Sequence, residues 1–212
     1  MSAEGVRGLE WLDWARQLAA VAQNGLHYAT DQFDVVRYSQ VREIASAMLA
    51  KGGAGRIGDV LAVLEREQGY TTPKVDVRGV AFHDDRVLLV RELTDGRWTL
   101  PGGWADPTEV PSAAVEREIA EEAGYRARAI RLLACWDRTR QEGAQPYPFR
   151  VYKLFFDCRI LGSTQRDESE TDAVGWFPVH DPPPLSLGRV TPGQLTHLYA
   201  LHRDPLSPAA FH

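Results

Sequence analysis

The chain has 212 residues, of which 44% are apolar and 25% charged, with a net charge of −5. That length gives one large domain or two unequal ones, and no apolar run reaches the 18 residues that a membrane span needs. Without a block of lysine and arginine the composition argues against a duplex nucleic-acid binder, whereas a small anionic substrate fits if positive charge is local or brought by a metal. The first residues, "MSAEGVRGLEW", lack the basic-then-apolar order of a signal peptide. Cys135 and Cys158 lie far apart without metal-ligand spacing and read as reduced core residues, a disulfide being the alternative. The cytoplasm is the expected address.

The first 70 residues read as helices. In "GLEWLDWARQLAAVAQNG", Trp11, Trp14, Ala15, Leu18, Val21 and Ala22 recur at helical spacing, and Asn24-Gly25 is expected to end that helix. Asp31 reads as the N-cap of a second helix carrying Phe33, Val41, Ile44, Ala45 and Met48, which Gly52-Gly53 closes. A third helix is expected at about 56–67, with Ile57, Val60, Leu61 and Leu64 on one face. Three helices of this size form little core of their own, so their stripes need the protein body or a second copy to cover them.

From Lys74 the rhythm changes to strands. "KVDVRGVAF" and "RVLLVREL" read as a hairpin turning at His83-Asp84-Asp85. A short "RWTLPGG" strand ends in a breaker. Residues 111–123 form a helix, with Pro111 in its first turn and Gly124 at C′. "RARAIRLLACWDR" and "FRVYKLFFDCRI" are longer strands separated by the polar loop "TRQEGAQPYP", and "DAVGWFPV" is a last strand. Thr191-Pro192 opens a terminal helix that stops before Asp204-Pro205. The order is α+β.

The helix at 111–123 carries the chemistry. Glu118 and Glu122 are four apart and Glu121 is three from Glu118, so all three project within an arc of roughly 100°. Val115, Ile119 and Ala123 line the adjoining arc, which can face a core. Like charges at this spacing destabilise an isolated helix by roughly 0.2–0.5 kcal/mol per pair. Arg117 offsets part of that through Glu121, and a hard divalent cation such as Mg²⁺ would remove the rest. A solvated acidic face is the bland alternative.

The flanks decide between them. The stretch "GWADPTEVPSAAVEREIAEEAGY" runs Gly103, five residues, Glu109, seven residues, Arg117-Glu118-Ile119, one residue, Glu121-Glu122, one residue, Gly124-Tyr125. This resembles the 23-residue box of the Nudix hydrolases at every fixed position, with Tyr125 standing where an aliphatic residue is usual. The resemblance implies a Nudix fold, a mixed sheet sandwiched between helices, over residues 71–212, preceded by a small all-helical domain over 1–70. It implies Mg²⁺ (or Mn²⁺) held by Glu118, Glu122 and a shared Glu121 with a main-chain carbonyl near Gly102. Gly102-Gly103 permit the tight turn, Arg117 orients the carboxylates, and Glu109 and Gly124 shape the box. The general base is expected from "DESETDAVGWF", with Glu170 ahead of Glu168; a box glutamate such as Glu121 is the alternative.

"WLDWARQLAAVAQNGLHYATDQFDVVRYSQVREIASAML", "GYTTPKVDVRGVAF", "LPGGWAD", "YKLFFDC" and "VGWFPVHDPPPLSL" also look like the bacterial Nudix group with an N-terminal helical domain, described as ADP-ribose or CDP-choline pyrophosphatases. The resemblance thus implies cleavage of a nucleoside diphosphate linked to a small group X, with CDP-choline ahead of ADP-ribose. Arg78 and Arg91 are candidate phosphate ligands, and Trp98 and Trp104 candidate base platforms. Tyr28, Trp136, Tyr147 and Tyr152 are candidates for an aromatic cage around choline. A 5′-end RNA substrate is disfavoured by the missing basic stripe, and a non-catalytic ligand-sensing module by the intact box. The helical domain is expected to pair two copies as a homodimer.

Overall fold

The protein is described from a computed structural model covering residues 3–143 and 146–212, with side chains of the first helix from Glu10 onward. Ala144 and Gln145 of the expected polar loop, and Met1 and Ser2, lie outside the described residues. The chain divides into two compact units, Met1–Pro73 with Gln145–Arg150, and Lys74–Ala144 with Val151–His212.

The first unit contains α1 (Ala3–Tyr28), α2 (Gln32–Leu49), a wider helical turn (Ala50–Ala54) and α3 (Ile57–Arg66). Helix α1 does not stop at Asn24-Gly25. Gly25 lies against the Tyr38 ring, where any Cβ would come within 2.4 Å, and Asn24 accepts the Thr71 N–H at 2.8 Å. Both residues therefore serve packing and a tertiary hydrogen bond inside a continuing helix, and tertiary contact overrides the local turn signal. Asp31 takes the N-cap position of α2, although its side chain makes no capping bond. The unit has its own small core: Leu12, Ala15, Ala19, Ala45, Leu49, Val60 and Leu64 are buried together. The expected α1 stripe is split. Ala15 and Ala22 face inward, whereas Trp14 and Val21 are each 57% exposed.

The second unit carries two sheets. In the first the order is β1-β6-β5-β8, from β1 (Lys74–Val80), β5 (Tyr125–Asp137), β6 (Val151–Ser163) and β8 (Ala210–Phe211). Strands β1 and β6 are parallel, β6 and β5 antiparallel, and β5 and β8 parallel. The second sheet joins β2 (Phe82–His83), β3 (Arg86–Glu92) and β4 (Trp98–Thr99), with β7 (Thr171–Pro178) antiparallel to β3. The expected hairpin is thus only its tip. Chain 74–83 crosses from one sheet to the other at Ala81, and just Phe82 and His83 pair with β3. Helix α4 (Pro111–Ala123) inserts Val115, Ile119 and Ala123 into one core cluster. Helix α5 (Pro192–Arg203) inserts Leu195 and Leu198 into the other. Thr191 and Gln194 form a reciprocal capping box at the start of α5. Both cysteines are free thiols; burial pushes that of Cys158 up to about 12.

Candidate active site

Helix α4 is fixed at both ends. Pro111 sits in its first turn after Val110, and Gly124 closes it in the left-handed region at φ 68°. Its buried face carries Ala114, Val115, Ile119 and Ala123, and Glu118 and Glu122 are buried with them. Truncating a buried isoleucine such as Ile119 to alanine costs about 2–5 kcal/mol, so the apolar stripe can hold the two carboxylates at its border. Glu118 is 8% exposed and Glu122 6%; only Glu121 reaches toward solvent.

The loop before the helix closes on these carboxylates. It is stitched to β1 by Gly79 N–H to the Pro101 carbonyl at 2.8 Å and Val77 N–H to the Gly103 carbonyl at 2.8 Å. Gly102 has φ 144°, and a Cβ there would lie 2.1 Å from the Val77 carbonyl oxygen. A Cβ on Gly103 would lie 2.9 Å from Glu118 Oε1. The two glycines thus let a backbone loop lie directly over β1 and over the Glu118 carboxylate. The Gly102 N–H donates to Glu122 Oε2 at 2.8 Å. Arg117 gathers the remaining acids. Its Nε lies 3.0 Å from Glu109 Oε1, and its Nη1 lies 3.0 Å from Glu118 and 2.8 Å from Glu121. The Glu109 hydrogen bond is the largest influence raising the Arg117 pKa.

Above this segment lies a cavity of about 440 Å³. Its lining includes the acids Glu92, Asp106, Glu118, Glu121, Glu122, Asp167 and Glu170, against the guanidiniums of Arg78, Arg117 and Arg189. Gly102, Gly103 and Trp104 complete the near wall, and Trp104 is 50% exposed. Burial drives the Glu122 carboxyl up to about 8, against the pull of Arg78 and the Gly102 N–H. Burial also raises Glu118, with Arg117 opposing it. Arg78 is buried on β1, its Nε donating to Asp76 at 2.8 Å and its Nη1 to the Leu100 carbonyl at 3.2 Å. Burial acts to lower its pKa, but Asp76 and Glu122 outweigh that and raise it.

The cavity brings together Arg78, Gly102, Gly103, Trp104, Arg117, Glu118, Glu121, Glu122 and Glu170. Other expected residues stand elsewhere. Arg91 does not line the cavity; it forks onto Asp172 at 2.7 and 2.9 Å on the outer face of the sheet. Trp98 packs edge-on against Phe177, ring centres 4.5 Å apart, beside the core. Glu109 is bound to Arg117 at 3.0 Å and does not line the cavity. Glu168 pairs with Arg166 at 2.7 Å and stays outside, whereas Asp167, Ser169 and Glu170 line the cavity. Of the cage candidates, Trp136 is buried in the core against Phe155, ring centres 5.0 Å apart. Tyr28 is 68% exposed in the first unit, to which Tyr147 also belongs, and Tyr152 is 43% exposed on β6.

Five lining residues have no place in the sequence expectation: Glu92, Asp106, Asp167, Ser169 and Arg189. Glu92 follows Arg91 on β3, and period-2 alternation turns one of the pair inward and the other outward. Sequence alone does not say which. Among the described residues no three acids, histidines or cysteines converge on one point; Arg117 takes Glu118 and Glu121, and the Gly102 N–H takes Glu122. The donor chemistry nevertheless fits a hard divalent cation. Buried carboxylate oxygens whose ionisation is suppressed by burial are what such an ion would bind in ionised form.

Residues 72–201 match the NUDIX domain, and residues 9–64 match a UDP-X-like, N-terminal oligomerisation domain. The chain is 37% identical over 196 residues to the putative ADP-ribose pyrophosphatase YjhB of Bacillus subtilis, covering 92% of this chain and 94% of that one. A solved ADP-ribose pyrophosphatase from Streptococcus suis is 39% identical, with a TM-score of 0.60 over 66% of this chain and all of that one. A UDP-X diphosphatase structure matches 97% of this chain and 99% of its own at 27% identity, with a TM-score of 0.62. A domain match over more than half of the sequence, joined by a relative that parallels nearly all of it, shows the family: this chain belongs to the Nudix hydrolases.

Proposed function

We propose that the protein is a Mg²⁺-dependent pyrophosphohydrolase that splits a nucleoside diphosphate linked to a small group X into a nucleoside monophosphate and phospho-X. The observation that carries the reading is the charge of the cavity, whose seven carboxylates stand against three guanidiniums. A diphosphate anion would meet net repulsion there unless a multivalent cation entered with it. Nudix hydrolases as a family work with divalent metal.

Glu118 and Glu122, with the Gly102 carbonyl and a shared Glu121, would hold the ion. When bound, Mg²⁺ neutralises the diphosphate and lowers the pKa of a water that can act as nucleophile; Mn²⁺ would substitute. Arg117 orients Glu118 and Glu121, and Gly102 orients Glu122. Glu170 takes the proton as the water oxygen bonds to phosphorus and the bridging P–O bond breaks. Arg78, pinned by Asp76, keeps donors free for a phosphate oxygen. Trp104, half exposed on the cavity wall, offers a face for the base.

ADP-ribose is the first substrate to test, because two relatives at 37% and 39% identity bear that activity in their names. CDP-choline, placed first from the sequence, becomes the second reading, since Trp136, one of its four cage candidates, lies in the core. The retained box acids weigh against a non-catalytic sensing module. We assign residues 71–212 to hydrolysis and 1–70 to assembly as a homodimer. The match of residues 9–64 to an oligomerisation domain supports this, as do Trp14, Val21 and Phe33, each more than half exposed. A cytoplasmic setting fits a nucleotide substrate, and no helix among the described residues is long and apolar enough to cross a membrane. The test is a chromatographic assay with Mg²⁺ on ADP-ribose, CDP-choline and a UDP-sugar. Release of AMP from ADP-ribose supports the reading; intact substrate in all three reactions refutes it.

A further inference from the structure

The cavity contains one cation that belongs to neither the box nor β1. Arg189 stands in the loop before α5. Its guanidinium is aimed by four side chains. Nε lies 2.9 Å from Glu92 Oε1, Nη1 donates to Ser186 Oγ at 3.0 Å, Nη2 donates to Thr94 Oγ1 at 3.3 Å, and Asp95 lies 3.6 Å from Nη1. A guanidinium has five N–H groups in a rigid fork. Three of them meet Glu92, Ser186 and Thr94, Asp95 adds an ion pair beside Nη1, and the head group itself lines the cavity.

The backbone of the same loop is held from beneath. The Gln141 amide donates to the Leu187 carbonyl, and the Lys153 ammonium donates to the carbonyl of Arg189 itself. Lys153 is 1% exposed in the middle of β6. It also lies 3.5 Å from Gln141 Oε1 and 3.8 Å from Asp76, the acid that pins Arg78. Burial pushes the Lys153 ammonium down to about 7, with Asp76 opposing that shift; charged or neutral, the amine keeps N–H groups to donate. A buried ammonium is costly to folding, and an apolar side chain of similar volume often serves stability as well or better. Packing alone therefore does not account for a lysine at this position. What the lysine adds is a single point that fixes both Arg78, through Asp76, and the backbone that carries Arg189.

We propose that Arg189 is a substrate-binding residue that donates to a phosphate oxygen of the diphosphate, and that Lys153 and Gln141 are positioning residues that set where its fork lies. The proposal rests on the pyrophosphohydrolase reading. Loss of a charge-assisted hydrogen bond weakens binding by about tenfold to a hundredfold. In initial-rate kinetics on ADP-ribose with Mg²⁺, Arg189→Gln is expected to raise KM by about that factor and to lower kcat by less. Arg189→Lys, which keeps the charge and loses the fork, falls between it and the wild type. Lys153→Met and Gln141→Leu raise KM in the same direction while the Mg²⁺ concentration for half-maximal activity stays that of the wild type. Combined with Arg189→Gln, Gln141→Leu adds nothing further, because the group it positions is already gone, whereas Lys153→Met keeps the part of its effect that reaches Arg78 through Asp76. If Lys153→Met does not fold, Gln141→Leu carries the same comparison. A wild-type KM in Arg189→Gln overturns the proposal and leaves the pyrophosphohydrolase reading standing. Effects that multiply in the double variant Arg189→Gln with Gln141→Leu overturn the positioning role. A wild-type enzyme that cleaves no nucleoside diphosphate derivative removes the reading and the proposal together.

Discussion

The Gly102 N–H and the Glu122 carboxylate, twenty residues apart in sequence, meet at 2.8 Å in the lining of the cavity. The backbone of the glycine loop thereby sets the orientation of a carboxylate that helix α4 buries. Burial holds the Glu122 carboxyl up at about 8 against an ordinary value of 4.5. Between those values the native state keeps a proton that the unfolded chain releases, so stability falls as pH rises from about 4.5 to 8. Glu122→Gln removes this titration. In EDTA, the Tm of the variant relative to wild type should rise from pH 5 to pH 8.5, as read by calorimetry. A difference that stays constant across that range would contradict the assigned burial.

Gly102 and Gly103 should respond differently to alanine. At Gly102 the new Cβ meets the Val77 carbonyl oxygen at 2.1 Å with φ at 144°, and neither atom can move without shifting β1. That variant is expected to lose several kcal/mol of stability. At Gly103 the Cβ meets a side-chain oxygen of Glu118 at 2.9 Å, which can swing aside. That variant should fold with nearly normal Tm and need more Mg²⁺ for half-maximal rate. Equal Tm losses in the two variants would contradict this division.

Glu170 lines the cavity while Glu168 pairs with Arg166 outside it. Glu170→Gln should lower kcat by about 10²–10⁴-fold with little change in KM, the effect of removing a positioned base. Glu168→Gln should stay within a few-fold of wild type. The reverse ranking in steady-state kinetics would move the base to Glu168.

What could be read from the sequence divides along physical lines. Helix α4 was readable to the residue, because Pro111, Gly124 and the Val115–Ile119–Ala123 stripe are local signals that agree with one another. Terminal helix α5 was readable through Thr191-Pro192 for the same reason. Helix α1 passed through Asn24-Gly25 because Tyr38 and Thr71, distant in sequence, use those two residues. The crossing of the chain between two sheets at Ala81 left no local mark, and β8 is two residues long. In the site, Glu118, Glu121 and Glu122 were readable from helical spacing. The choice of Arg91 over Glu92 was not, since alternation fixes a pair of faces without naming the inner one. Arg189 enters the cavity from a loop beside α5, and only the fold brings it near Arg78.

The exposed side chains of α1 and α2 bear on assembly. Trp14 and Val21 are each 57% exposed and Phe33 62%. Light scattering on the intact protein at micromolar concentration should give twice the 23.7 kDa chain mass, and Trp14→Glu should shift it toward the monomer. A wild-type monomer under those conditions would contradict the homodimer.

The central claim is that the buried carboxylates of α4 hold the divalent cation with which a nucleoside diphosphate is cleaved. It is tested most directly by following ADP-ribose with ³¹P NMR in Mg²⁺ and in EDTA, for the wild type and for Glu122→Gln. The wild type should give AMP and ribose 5-phosphate in Mg²⁺ alone, and folded Glu122→Gln should leave ADP-ribose unchanged in either condition. Cleavage that persists in EDTA, or a Glu122→Gln rate close to that of the wild type, would contradict it.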